Sequence, residues 1–359
     1  MPTPLFSIIL PMYNASAHIA EAIRAVKAQT LSDWEMIIVD DASTDSSLDV
    51  AHRCAEGDER IRIFSLKENS GSAFRPRLAA LQDAAGEYIV ELDADDTIEP
   101  AYLLKLSRAL TTAPSNNPPS SSPASSLATN PSDNSNPPSN PSLPPLPIDA
   151  AFARFIRPDG TPVLSDELPP STHLTGAEAL AATFGGWRHS AMGAIRRRLY
   201  TDALERFGMP DAGICSDEVL TRRILACASE VVITDALYIY TPNPHSVTRR
   251  PTLKLFDPIE SAFAALSLSN LVGSRDVWQS ASREFYHAFI HMAHLYHTFV
   301  FESQADNNDV RLRLRNMFDR LADQRFRRVI PLPHRMAMKT GFATFMKLIA
   351  LRKRQVSKN

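Results

Sequence analysis

Tyr88-Ile89-Val90-Glu91-Leu92-Asp93-Ala94-Asp95-Asp96 is the stretch on which the reading of this chain turns. An apolar run delivers three carboxylates within four positions, and these repel one another unless a cation or a hydrogen-bond donor meets them. Extended residues alternate in direction, so Asp93 and Asp95 point to one side across the small Ala94 and can reach the same hard cation, magnesium or manganese. The plain alternative is a solvated acidic turn ahead of Pro100.

The same kind of run recurs upstream. Apolar, β-rich segments at Phe6–Leu10, Met36–Val39, Ile61–Phe64 and Tyr88–Leu92 follow one another at a regular spacing, separated by helix-period positions such as Ile19, Ala22, Ile23 and Val26. This alternation predicts an α/β fold with a mostly parallel, Rossmann-like sheet covered by helices on both faces. Ligands in such sheets sit beyond the carboxyl ends of the strands. Each expected strand ends in polar residues suited to that place: Pro11-Met12-Tyr13-Asn14, Asp40-Asp41-Ala42-Ser43, Asn69-Ser70-Gly71 and Asp93–Asp96. The adjacent carboxylates Asp40 and Asp41 offer an acceptor for the N–H of a nucleobase; Ser43 or Asp45 could instead serve as a helix N-cap there.

Residues 112–147 differ in kind. Of these 36 residues, 11 are Pro, 10 Ser and 6 Asn, with Asp133 the one charge, a composition that cannot bury enough apolar surface to fold. It predicts a disordered insertion within a domain. Beyond it, Ala150–Phe155, Val231–Ile233 and Tyr238–Tyr240 read as strands, and Gly176–Phe184 and Arg196–Phe207 as helices. Asp217–Ala228 reads as a helix entered at Ser216 as N-cap. From Asp257 onward the pattern is helical.

"FSIILPMYN", "IAEAIRAVKAQTLSDWEMIIVDDASTD" and "NSGSAFRPRLAALQDAAGEYIVELDADD" together resemble the family 2 glycosyltransferases, with the nucleotide-sugar-binding GT-A fold, over about 100 residues. The resemblance implies that Pro11, Tyr13 and Asn14 form the first-strand loop, with the aromatic ring stacked on the base. Asp41 would read the uracil edge, with Asp40 beside it. Asp93, Ala94 and Asp95 would be the DxD motif, Asp93 near the ribose and sugar and Asp95 on a Mn2+ or Mg2+ ion bridging the diphosphate. Arg77 would lie near that diphosphate. The family's expected Asn is Leu78 here, and Arg75 and Pro76 are added just before it.

The resemblance also implies an acidic pair at a helix start on the acceptor side. Asp217 and Glu218 supply it, with Asp217 favoured as general base; Asp217 follows Asp95 by 122 residues, of which 36 belong to the insertion. The implied organisation is a nucleotide-sugar-binding half at 1–111, the insertion at 112–147, an acceptor-binding half at 148–250 and a helical C-terminal region at 251–359. The implied activity is an inverting, metal-dependent, hexosyltransferase-type transfer from a nucleotide-sugar, a UDP-sugar first among them, to a glycan or lipid-linked acceptor in envelope or exopolysaccharide synthesis. A nucleotidyltransferase on a similar sheet and a non-catalytic glycan-binding or partner-binding member are the rivals. The first lacks a Gly-rich triphosphate loop, and the second sits poorly with an intact Asp93–Asp96.

Charge adds a partner. Residues 310–359 hold 14 Lys or Arg against two Asp, so that this end carries +12 while the whole chain carries −2. A basic end on an acidic body suggests an anionic neighbour. Met338, Phe342, Phe345, Met346 and Ile349 recur at helical spacing among Lys339, Lys347 and Arg352–Arg354, which predicts a basic amphipathic helix lying flat on an anionic bilayer. Nucleic acid is not an expected partner. His287, His291, His294 and His297 share one helical arc, read as a solvated face rather than a metal site. His245, Ser246 and Arg249 fall where the resembling enzymes carry a loop near the diphosphate. Cys54, Cys215 and Cys227 show neither disulfide nor zinc spacing. The N-terminus lacks a signal peptide's basic start and no apolar run is long enough to span a bilayer. The expected location is cytoplasmic, peripheral at the inner face of the membrane.

Overall fold

The computed structural model describes residues 3–111, 148–243, 252–303 and 307–356. Four strands, β1 (Phe6–Met12), β2 (Trp34–Asp40), β3 (Ile61–Ser65) and β4 (Tyr88–Glu91), pair in parallel in the order β3-β2-β1-β4. In β1, β2 and β4 the pleat splits the apolar residues between two covered faces, which is why these runs are close to continuous, whereas β3 at the edge leaves Arg62 and Ser65 exposed. Phe6, Ile8, Leu10, Met36 and Ile38 pack with α1 (Ile19–Lys27) and α2 (Ser47–Ala55) on one face. Ile9, Ile37, Val39 and Ile89 pack with α3 (Phe74–Asp83) on the other.

The sheet continues past β4 in the other direction. β5 (Thr97–Ile98), α4 (Tyr102–Thr111), β6 (Ala150–Ile156), β7 (His173–Thr175), α5 (Gly176–Ala181) and β8 (Gly193–Arg196) follow in the chain. β8 lies antiparallel between β4 and β6, so the nine-stranded sheet is mixed and its parallel order is concentrated at β1–β4. Gly193 permits this juncture, because a Cβ there would lie 2.0 Å from the Ala151 carbonyl oxygen.

Three expectations are corrected. The strands expected at 231–233 and 238–240 are one, β9 (Glu230–Ile239), running parallel to β6. The polar Thr234-Asp235 pair that interrupts the apolar run is absorbed by a register shift between Phe152 and Arg154, and the Thr234 hydroxyl donates to the Phe152 carbonyl. Next, α6 (Arg198–Phe207) is followed by α7 (Ser216–Leu225), whose N-cap is Cys215 without a side-chain cap. Ser216 is the first helical residue, and its hydroxyl accepts from the Ala212 N–H instead.

The third concerns the C-terminal helices α8 (Pro258–Val272), α9 (Arg275–Ser303), α10 (Asn308–Leu321), α11 (Leu332–Met338) and α12 (Phe342–Val356). They enclose a core of their own. Phe342, Phe345, Met346 and Ile349 are buried in it, Phe345 stacked on Phe289 of α9. The apolar face of α12 therefore covers another helix and is not the face that meets a bilayer. His287 and His291 are exposed, while His297 Nε2 bonds the Met346 carbonyl. Among the described residues no His, Cys, Asp or Glu cluster is arranged to hold a metal, and no helix is long and apolar enough to cross a membrane. The insertion 112–147 and His245, Ser246 and Arg249 lie outside the described residues.

Candidate functional site

A cleft of about 440 Å3 opens at the carboxyl ends of β1, β2 and β4. Pro11, Tyr13, Asn14, Asp41, Arg77, Asp93, Ala94, Asp95 and Asp217 all line it; Asp40 and Glu218 do not.

The first wall is the loop after β1. Asn14 adopts φ 47°, a left-handed conformation that Asn tolerates, and its side-chain oxygen accepts from the Thr44 N–H at 2.8 Å, tying this loop to the one after β2. Tyr13 beside it is 37% exposed and presents a ring to the cleft. Asp41 is buried, and its carboxylate accepts from Asn69 Nδ2 at 3.0 Å and from the N–H and hydroxyl of Ser70 at 3.0 Å. A carboxylate has about four lone-pair sites, so acceptor capacity remains on its Oδ1. Asp40 instead receives the Ser43 N–H at 3.3 Å, bracing the turn from within.

The acidic stretch is a turn and not a continuation of the strand. Pairing of β4 ends at Glu91, and the Asp96 N–H closes onto the Asp93 carbonyl at 3.1 Å. The turn, rather than a pleat, sends Asp93 and Asp95 to the cleft and Asp96 away from it. The end of β9 pins the turn from below. Tyr238 receives the Asp93 N–H and donates to Asp96 Oδ2 at 2.9 Å, the Thr241 N–H reaches Asp96 Oδ1 at 2.8 Å, and Asn243 Nδ2 reaches Asp95 Oδ2 at 2.9 Å.

Arg77 ties the walls together. It is 7% exposed, with Nη2 2.5 Å from Asp93, Nη1 3.0 Å from Asp217 and Nε 3.2 Å from Glu91. Burial alone would lower its pKa, but Asp93, Glu91 and Asp217 outweigh burial and raise it. The acids feel the opposite balance: burial raises Asp93 and Glu91 above the usual carboxylate range although Arg77 pulls both down. Glu91 is also held by the Tyr200 hydroxyl at 2.9 Å. Leu78, where the resembling enzymes show Asn, turns to the apolar packing beside α7.

At the start of α7, Asp217 faces the cleft and Glu218 faces the other way. Glu218 lies 3.2 Å from the buried Arg222, whose Nη2 bonds Glu284 of α9 at 2.9 Å. Burial raises the Glu218 carboxyl and Arg222 opposes it. Sequence reasoning missed Glu91 and Tyr200 behind Arg77, Asn243 on Asp95, and Lys254, which lines the cleft with its Nζ 2.6 Å from the Gly71 carbonyl. Glu91 and Asn243 stand beside residues singled out in the sequence, whereas nothing local marks Tyr200 or Lys254.

Residues 7–118 match the family model described as glycosyl transferase family 2. That is under a third of the chain. A Bacillus subtilis (strain 168) glycosyltransferase named for teichuronic acid biosynthesis, TuaG, is 46% identical over 93 residues, covering 26% of this chain and 36% of that protein. A poly(ribitol-phosphate) β-glucosyltransferase of Bacillus spizizenii is 40% identical over 101 residues, covering 28% of this chain and 16% of its own. The matched region thus spans well under half of these curated relatives. The crystal structure of S. aureus TarS 1–349 in complex with UDP-GlcNAc superposes with a TM-score of 0.63 at 17% identity, covering 98% of this chain and 91% of that one. The likeness is one of fold, the GT-A type, and it extends over the helical C-terminal region.

Proposed function

We propose that the protein is an inverting, metal-dependent glycosyltransferase that moves a sugar from a nucleotide-sugar, a UDP-sugar, to a glycan or lipid-linked acceptor. The observation that carries this reading is the convergence of Asp41, Asp93, Asp95 and Asp217, from three separate parts of the chain, on one cleft. The relatives named for teichuronic acid biosynthesis and as a poly(ribitol-phosphate) β-glucosyltransferase, with the TarS complex with UDP-GlcNAc, support the substrate class.

In this reading Tyr13 stacks on the base and Asp41 accepts from its N–H, which sets the donor's register. Asp93 and Asp95 are two hard oxygen donors with no third His, Cys, Asp or Glu arranged to complete a cage among the described residues. That half-built set fits Mn2+ or Mg2+, which takes its remaining ligands from substrate phosphates and water. When bound, the ion neutralises the departing diphosphate. Asp217, oriented by Arg77, takes the proton from the acceptor hydroxyl as that oxygen attacks the anomeric carbon from the opposite face. One displacement inverts the centre. Asp40 and Glu218 brace the site from behind rather than touching substrate. A lipid-linked acceptor places the protein at the cytoplasmic face of a membrane, held there peripherally.

The test is a panel of nucleotide-sugars screened with Mn2+ for hydrolysis and for binding by calorimetry. Metal-dependent binding of at least one donor, lost in Asp95→Ala, is expected; a panel with no binding at all overturns the reading.

A further inference from the structure

Sharing no lining residue with the cleft, the end of α10, the 3-10 turn Gln324–Arg328 and α11 enclose a second groove, of about 460 Å3. Leu321, Ile330 and Met338 contribute to its lining, and Leu332 and Met336 stand beside it at i, i+4 on α11, 61% and 55% exposed. Arg327, Arg335 and Lys339 also line it. The acid that lines it, Asp323, is engaged by Arg325 at 2.9 Å, whereas Arg335 donates to the Arg327 carbonyl at 2.8 Å. Among the described residues none of these three cations meets a carboxylate within ion-pair distance.

Two solvent-facing aliphatic side chains beside three uncompensated cations suit an anionic amphiphile better than either water or a neutral protein. The charge distribution selects the same occupant. The last 50 residues carry +12 on a chain whose total is −2, so an anionic sheet attracts this end and repels the rest. Two copies of this face would repel each other. The apolar face of α12, the obvious rival, is spent on α9 and α10.

We propose that α11 and the groove beside it seat the protein on an anionic phospholipid bilayer. Headgroup phosphates lie on Arg327, Arg335 and Lys339, and Leu332 and Met336 enter the interface. This gives a surface to the membrane placement proposed above, on which it rests, and uses none of the residues assigned to the cleft.

The test is co-sedimentation of the full chain with vesicles of phosphatidylcholine alone and of phosphatidylcholine with phosphatidylglycerol. Binding at least ~10-fold tighter to the anionic vesicles, weakened by added salt, is expected, since each basic residue near such a surface contributes several-fold. Leu332→Ser with Met336→Ser should lose most of that binding, as should Arg327→Gln with Arg335→Gln and Lys339→Gln. Leu332, Met336, Arg327 and Lys339 are exposed, so the Ser variant should keep the parent's thermal denaturation and donor binding; Arg335 is half-buried and bonded to the Arg327 carbonyl, so the Gln variant is compared with the parent at a temperature where its donor binding is intact. Equal binding to both vesicles, no binding, or undiminished binding by both variants overturns the proposal; so does a shift of the free protein to dimers that the Ser variants abolish. Vesicle binding that persists in a protein that binds no nucleotide-sugar would sink the transferase reading and leave this surface standing.

Discussion

The guanidinium of Arg77 and the carboxylate of Asp217, 140 positions apart in sequence, meet at 3.0 Å. The contact joins α3, which packs on β1 and β2, to the helix start that holds the proposed base. Since the same guanidinium also holds Asp93 and Glu91, one cation sets the spacing of three acids.

Arg77→Met should therefore cost far more than a surface charge. It leaves three acids facing one another with their shared cation gone, and breaking a buried pair of this kind costs about 3–5 kcal/mol. Urea denaturation checks it; a loss below about 1 kcal/mol would show that the acids find other partners.

Asp217→Asn should lower turnover by roughly 10²–10⁴-fold while leaving donor binding within a few-fold, because the amide keeps the shape and loses the basicity. Glu218→Gln should act mainly on stability through Arg222. Steady-state kinetics beside donor calorimetry separate the two; the reverse pattern would move the base to Glu218.

Burial, and next the charge of Asp93, push the Asp96 carboxyl up to about 7 from an ordinary 3.8. The folded protein then holds this proton more tightly than the unfolded chain does. The stability it contributes is present at acidic pH, below the ordinary value, and is lost as pH rises through about 7. In protein stripped of divalent ions, Asp96→Asn should flatten the fall in Tm across that window, by the equivalent of roughly 1–3 kcal/mol. An unchanged pH slope would show that Asp96 is ionised throughout.

Phe345→Ala should destabilise by about 3–5 kcal/mol, as for a buried aromatic, because its ring is enclosed by Phe289 and Phe318. A bilayer-facing Phe345 would cost little in the absence of lipid, so denaturation of the vesicle-free protein decides between the two placements.

β1, β2 and β4 were legible because their cores are buried on both faces and so appear as apolar runs; β3, an edge strand with Arg62 exposed, was legible from its β-branched and aromatic residues at the same spacing. In the second half of the sheet only β6 was legible as it stands, expected at Ala150–Phe155 and found at Ala150–Ile156. β7 and β8 are three and four residues long, too short for a period to show, and the Thr234-Asp235 pair split β9 in two on paper. The periodicity of α12 revealed that it has an apolar face; which surface covers that face depends on α9, some 50 residues away, and local pattern carries no such information. The cleft divides in the same way. Asp41, Asp93, Asp95 and Asp217 were nameable from strand ends and resemblance, but the Arg77 contacts exist only once α3 and α7 are packed.

Glu91, Asp93 and Asp217 all lean on one side chain, and so these four positions form a single heritable character. Drift at any of them is felt by the other three, and a lineage that gave up Arg77 would have to surrender or replace its acids as a set. Mutational libraries that sample these positions one at a time would find only dead ends where paired changes could find a path.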